Sequence, residues 1–373
     1  MSTAAPVERV VRSVASFGLV CEVTETHSVD EDTWLELKSR LIAERLTGLA
    51  MAAAEDGRLN LSDTHFAELS DAHREVMLWA LDLERTLLDL AREFDDAGIE
   101  FVVLKGAALA HTVYPDPSWR PFMDIDLLVR TRDWRRSCAL LVELGMVRRL
   151  VEPRPGFDER FGKAACHVND KRQEIDLHRT LVLGPFGLWM DPDELFERTW
   201  RFSLGGRDLN QLDDTASLMH ACLHASLGMR RSLLVSFRDV AQAAESSGVV
   251  WEVILDWAER WRLRPVLRDA FMRTEQKLGT RNPPQLSPLI GEEPTRSERR
   301  LLSAYTSESR NRGGMALTTL QALPSVRSKA AYVRTLCFPS SDFLKARTGK
   351  DGGPSYLRRW AVPIHWALGR KSR

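Results

Sequence analysis

The stretch 99–129, IEFVVLKGAALAHTVYPDPSWRPFMDIDLLV, decides how the rest of this 373-residue chain is read. Ile99 to Leu104 is a short, largely apolar run of the kind that sits buried on both faces of a sheet. Lys105-Gly106 ends it at once, Ala107 to Val113 offers one or two helical turns, and Tyr114 to Pro121 is a proline-rich loop. Met123 to Val129 reads as a second strand. Side chains alternate across a strand, so Asp124 and Asp126 share one face while Met123, Ile125 and Leu127 share the other. Two carboxylates side by side repel unless a cation or hydrogen-bond donors lie between them.

Downstream, Cys166 to Asp170 and Gln173 to His178 read as a hairpin turning at Asp170-Lys171. Asp176 sits between Ile175 and Leu177, so it too projects from the face opposite a core. Three convergent carboxylates suit a hard, oxygen-seeking cation such as Mg²⁺, which in turn usually accompanies a phosphate substrate. An Asp-x-Asp alone is a weak signal, because surface acids at a sheet edge give the same pattern. The ordered set of strand, Lys-Gly, helix, loop with Arg120, Asp-x-Asp, helix and Asp176 is far more specific. Glycine lets a backbone approach an anion closely, Lys105 adds positive charge, and the planar Arg120 suits phosphate.

Outward from this centre the chain is helical. Trp34, Leu37, Leu41, Ile42 and Leu46 recur at helical steps, as do Val76, Ala80, Leu83, Leu87, Leu90 and Phe94, until Gly98 changes the period. Thr131 and Asp133 are placed to cap a helix carrying Trp134, Cys138, Leu141 and Leu144. After Gly205-Gly206 the helical pattern returns in Thr215 to Leu227 and Trp251 to Trp261. The expected class is α+β, with an N-terminal helical region (1–98), a small mixed-sheet core (99–205), a C-terminal helical region (206–309) and a basic tail (310–373).

Composition narrows the function. Lys+Arg and Asp+Glu number 52 each, and 44% of residues are hydrophobic, which excludes wholesale disorder and fibrous architectures. The five cysteines, Cys21, Cys138, Cys166, Cys222 and Cys337, include no CxxC pair and suggest neither a disulfide framework nor a zinc knuckle. The N-terminus lacks a basic start followed by an apolar run, and no window approaches the ~18 uninterrupted apolar residues of a spanning helix, so a cytoplasmic location is expected. Arg310 to Arg373 carries 13 Lys/Arg against 2 Asp/Glu, a balance of +11 that leaves −11 on the rest. Such a tail fits phosphates, an anionic membrane surface or an acidic partner, and equally an arm lying on its own acidic body.

LKGAAL (104–109), YPDPSWRPFMDIDLLV (114–129) and EIDLH (174–178) resemble the uncharacterised bacterial nucleotidyltransferases of the polymerase-β-like superfamily. The resemblance extends more weakly to LMHACLHA (218–225), FRDVAQA (237–243) and CFPSSDFLKAR (337–347). It implies a nucleotidyltransferase core in which Asp124 and Asp126 hold Mg²⁺, Asp176 is the third carboxylate and Gly106 lies in the phosphate-binding turn. That turn reads Gly106-Ala107 where the superfamily usually has Gly-Gly or Gly-Ser. The implied reaction is in-line attack of an acceptor hydroxyl on the α-phosphate of an NTP, ATP being favoured, with pyrophosphate leaving. Lys105 and Arg120 would neutralise the β,γ-phosphates, and Asp176 is placed to take the acceptor proton. The acceptor expected is a small molecule or a peptide. Nucleic acid is disfavoured because the body is net acidic. The alternative is a catalytically inactive nucleotidyltransferase fold used for binding or interaction.

Three further features compete for a role. His220 and His224 stand four apart on a helix, as two metal ligands would, but no Glu follows the first and only Asp239 offers a third ligand. A polar cluster packing that helix on the α/β core outweighs zinc, with His224 as a candidate pocket residue. His178 shares a face with Asp176 and would orient it or touch substrate. The terminal helix YLRRWAVPIHWAL (356–368) mixes arginine with tryptophan, so peripheral membrane contact competes with docking on the body.

Overall fold

The computed structural model describes residues 4–20, 25–228, 232–306 and 312–348; Cys21 and the expected helix 356–368 lie outside them. Seven strands form one mixed sheet: β1 (Phe101–Leu104), β2 (Asp124–Val129), β3 (Val147–Arg148), β4 (Ala164–Val168), β5 (Glu174–His178), β6 (Thr199–Leu204) and β7 (Arg207–Leu212). Their order is β3-β4-β5-β2-β1-β7-β6. β2 lies at the centre, antiparallel to β1 and parallel to β5, with Asp126 opposite Leu104 on one side and Asp176 on the other. The fold is α+β, a mixed sheet with helices before and after it in the chain.

Alternation along the strands gives the two faces different companions. Phe101, Val103, Ile125, Leu127, Val129, Ile175 and Leu177 point into one core, where they meet Leu83, Leu87, Leu90 and Phe94 of the long helix Asp63–Asp96 and Trp134 and Leu141 of helix Trp134–Glu143. Val102, Leu104 and Leu128 point the other way, into a larger core with Leu218, Met219 and Cys222 of helix Asp214–Leu223 and Val240 of helix Leu234–Ala244. The acidic residues of β2 and β5 share this second face. A roof of helices from later in the chain therefore covers them.

Local chemistry explains the elements. Ser62 caps the long helix by accepting from the His65 N–H at 3.2 Å. The hairpin of β4 and β5 is closed by Asn169, whose side-chain oxygen accepts from the Gln173 N–H at 2.9 Å. Helix Trp134–Glu143 starts differently from expectation. Residues Thr131–Asp133 form a short 3₁₀ turn, neither side chain caps the helix, and the Asp133 carboxylate instead meets Arg136 at 3.2 Å. Gly205-Gly206 also differs: it does not return the chain to helix but forms the tip of the β6–β7 hairpin, with φ of 54° and 78°. β7 then pairs in parallel with β1 through Val103 and Gln211. The helix expected over 215–227 spans Asp214–Leu223 and closes in a π turn over His224–Gly228.

From residue 312 to 348 the basic residues of the C-terminal segment lie in helices Arg312–Ala322, Val326–Cys337 and Ser341–Thr348, with Tyr332, Thr335 and Leu344 buried. No described helix is long and apolar enough to cross a membrane.

One glycine locks the proline-rich loop in place. In helix Thr47–Glu55, a Cβ added at Gly48 would lie 2.0 Å from the Ser118 carbonyl oxygen and 2.8 Å from the Trp119 Cα. Both obstacles are backbone, so the loop itself would have to move. Gly48→Ala is expected to lower the unfolding free energy by roughly 1–3 kcal/mol, the usual cost of overpacking. Urea denaturation checks this, and an unchanged midpoint would show that the loop does not rest on the helix.

Candidate active site

The register of three strands builds the acidic centre. Asp126 is 2% exposed and faces Asp176 directly across the β2–β5 pair. His178, two residues past Asp176 on the same face, reaches diagonally so that its Nε2 lies 2.7 Å from Asp126 Oδ1. The Lys105 ammonium lies 2.9 Å from the same oxygen. Lys105 reaches it from a backbone at φ 42° and ψ −132°, a conformation ordinary side chains rarely adopt. Gly106 follows at φ 25°, which only glycine tolerates without strain.

Charges within this cluster are unequal. Burial opposes ionisation of Asp126, but Lys105 and the hydrogen bond from His178 outweigh it and hold its pKa well below the usual carboxylate range. Asp124 goes the other way: burial first, then the negative charge of Asp126, push its pKa up, against relief from Lys105 and Arg45. Lys105 loses some basicity to burial but gains more from Asp126 and Asp124, so it remains an ammonium. For His178, burial and then the charge of Lys163 lower the pKa despite the attraction of Asp126. A neutral imidazole beside an ionised carboxylate carries its proton on Nε2, where it donates to Asp126. The expected link from His178 to Asp176 is thus replaced by one to Asp126.

The roof contributes the rest. Arg120 is not free to fork onto a phosphate in this structure. Its Nε and one terminal nitrogen donate to the two carboxylate oxygens of Asp239 at 2.9 and 2.7 Å, and the Tyr114 hydroxyl donates to the same group at 2.8 Å. Asp239, in helix Leu234–Ala244, is therefore spoken for by the loop and is not a partner of the two roof histidines. His220 and His224 are driven well below the ordinary histidine pKa by burial and then by the charge of Lys105, so they are neutral linings of the site.

Two residues were not legible beforehand. Arg45, just after helix Glu31–Ala43, lends its charge to Asp124. Lys163 precedes β4 on the opposite side of the acids and forms no ion pair within 4.0 Å among the described residues. Burial, then repulsion by Lys105, push its pKa down to about 8. The faint signal for it was a glycine-lysine pair, Gly162-Lys163, at the start of a strand that pairs with the acidic one. Cys166, opposite Asp176 in register, has its thiol pushed up to about 12 by burial and by that acid, which rules it out as a nucleophile near neutral pH.

Asp126, Asp176 and His178 each offer a ligand atom, all within 4.8 Å of one another, and form the one cluster of this kind among the described residues. Asp124 stands next along the strand with its charge unwelcome, the condition that a divalent cation relieves. The donor set fits a hard cation, with His178 already committed to orienting Asp126. Lys163 gives a test of these electrostatics in metal-free protein. The unfolded lysine keeps its proton to about 10.5 and the folded one gives it up near 8, so the unfolded state binds more protons between those limits. Stability relative to Lys163→Met is expected to rise as pH climbs from 8 to 10.5. Parallel denaturant titrations with EDTA check it, and a flat difference would return Lys163 to an ordinary pKa.

No curated protein sequence matches the chain. Among solved structures, an antigenic nucleotidyltransferase-like protein from Paracoccidioides brasiliensis is similar at 16% identity, over 58% of this chain and 94% of that one, with a TM-score of 0.32. That likeness is too loose to locate any residue. The profile described as uncharacterised nucleotidyltransferase matches residues 30–279, which take in the whole acidic centre, both roof histidines and Asp239. By that match, over well more than half its length, the chain belongs to the uncharacterised nucleotidyltransferase family.

Proposed function

We propose that the protein is a Mg²⁺-dependent nucleotidyltransferase that moves a nucleoside monophosphate from an NTP, with ATP favoured, to a hydroxyl of a small-molecule or peptide acceptor. The observation that carries this reading is the side-by-side register of Asp126 and Asp176, with Asp124 next to them and lysines on either side. Asp124, Asp126 and Asp176 would hold the divalent cation, which when bound neutralises phosphate charge and lowers the pKa of an acceptor hydroxyl.

The chain's own residues do the remaining work. Asp176 takes the proton of the acceptor hydroxyl as its oxygen bonds to the α-phosphorus. The bond from that phosphorus to the α,β-bridging oxygen breaks, and pyrophosphate leaves with the electron pair. Lys105 and Lys163 supply positive charge to the phosphates from opposite sides. His178 holds the Asp126 carboxylate in one orientation through its 2.7 Å hydrogen bond. Arg120 acts at one remove: with Tyr114 it pins the 114–121 loop to Asp239 and so fixes the entry to β2. An inactive binding module accounts less well for the centre, since gathering three carboxylates on a covered sheet face is costly and a bound cation would offset that cost.

Calorimetry with each of the four NTPs and Mg²⁺ tests the proposal. Asp124→Asn is expected to weaken Mg²⁺-dependent binding at least about tenfold and turnover about 100-fold, with an unchanged circular dichroism spectrum. Full turnover in that variant would sink the mechanism. Lys105→Ala should weaken triphosphate affinity by about tenfold, the worth of one charge-assisted contact. Unaltered affinity would mean that Lys105 stays on Asp126 throughout.

A further inference from the structure

A cleft of about 570 Å³ opens beside the acidic centre, with Asp176, Cys166 and Lys163 at its inner end. Its size is that of a pocket for one drug-sized molecule. The walls are apolar. Phe157 and Phe161 meet Tyr332, with ring centroids 5.9 and 5.3 Å apart, and Leu336 and Phe343 continue the surface outward.

Charge in the cleft is balanced. Arg148 and Asp158 pair with each other on its wall, leaving Lys163 and Asp176 as the charged groups of the inner end. Away from Lys163 the cleft offers a polyanion or a heavily hydroxylated acceptor little, since most of its hydration would be lost against apolar side chains such as Phe157, Phe161, Leu336 and Phe343. An aromatic or alicyclic body gains from those walls, and a hydroxyl at its inner end arrives beside Asp176.

The origin of the walls is informative. Tyr332, Leu336 and Phe343 lie in helices Val326–Cys337 and Ser341–Thr348, beyond the residue 279 at which the family match stops. These helices are tied to the 150–162 loop by the Ser340 N–H donating to the Pro153 carbonyl at 2.8 Å and by a bond from Arg154 to the Phe338 carbonyl. The family segment thus supplies the reacting carboxylates, while the later helices shape the space next to them.

We infer that this cleft is the acceptor site, that its acceptor is an apolar, ring-bearing molecule with a free hydroxyl, and that residues 326–343 set this selectivity. The inference rests on the transferase reading above for its chemistry, but the cleft itself can be tested apart from it. The full chain is titrated with 8-anilinonaphthalene-1-sulfonate by calorimetry as wild type, Leu336→Trp and Asp124→Asn. Leu336 is 43% exposed at the rim, so the larger ring fills the cleft without entering the core. Binding is expected in wild type and Asp124→Asn, and at least about tenfold weaker in Leu336→Trp. Equal binding in Leu336→Trp would overturn the cleft as the site.

The second arm supplies ATP labelled at the α-phosphate with Mg²⁺ and offers 2-naphthol, 4-phenylphenol and 2-naphthaleneethanol against sorbitol and glycerol. Label is expected on the ring-bearing hydroxyls, absent with Asp124→Asn and reduced at least about tenfold with Leu336→Trp. Transfer to the polyols in preference, or to none of the ring compounds while ATP binds, would overturn the acceptor class. Absence of any Mg²⁺-dependent nucleotide binding would instead remove the transferase reading and with it the acceptor role, and the dye titration would still decide whether the cleft binds an aryl ligand.

Discussion

Everything in this molecule depends on the pairing of β2 with β5, because that register sets Asp126 against Asp176 on a face that the fold also buries. Carboxylates in such a place repel each other and lose hydration, and the surrounding structure answers both costs. Lys105 bends through an unfavourable backbone conformation to reach Asp126. His178 gives up its charge and donates its one proton to the same group. Asp124 receives no comparable partner, and its raised pKa marks the part of the repulsion left unanswered by the chain alone.

The roof over that face must be placed accurately, and the Tyr114–Arg120–Asp239 cluster does this. A bidentate arginine-aspartate pair with a tyrosine hydroxyl on the same carboxylate satisfies the buried charges that would otherwise be prohibitive. It joins the loop that leads into β2 to the helix that follows the roof histidines. The two motifs YPDPSWRP and FRDVAQA, more than a hundred residues apart, are in contact at this point. Such a cluster is better suited to fixing geometry than to adding stability, since an apolar replacement of similar shape would often be as stable.

The sheet face was legible because period-two alternation is a local property: Asp124 and Asp126 against Ile125 and Leu127, and Asp176 between Ile175 and Leu177, require no knowledge of distant partners. The long helix and the β4–β5 hairpin were legible for the same reason. What stayed hidden depends on tertiary pairing. RDLNQL (207–212) alternates weakly, so β7 is defined by its pairing with β6 and β1 rather than by its own pattern. Arg120 has the chemistry of a phosphate ligand, and only the approach of Asp239 shows it occupied. Lys163 and Arg45 look like any surface cations until the fold brings them to the acids.

The Gly106-Ala107 turn takes on a different meaning against this geometry. On the proposed function, a turn without a serine hydroxyl would leave formal charge to meet the phosphates, with Lys105 within the acidic row and Lys163 across it. Burial and then the charge of Lys105 depress Lys163, which has no ion-paired carboxylate among the described residues, while Lys105 is held as an ammonium by Asp126. In the proposed reaction an arriving triphosphate would reverse the balance: its negative charge would favour the protonated form of Lys163, so the same residue that destabilises the empty site would attract the anion. On the proposed function, attraction for phosphate would then come from this electrostatic deficit in the ligand-free protein rather than from a hydroxyl at residue 107.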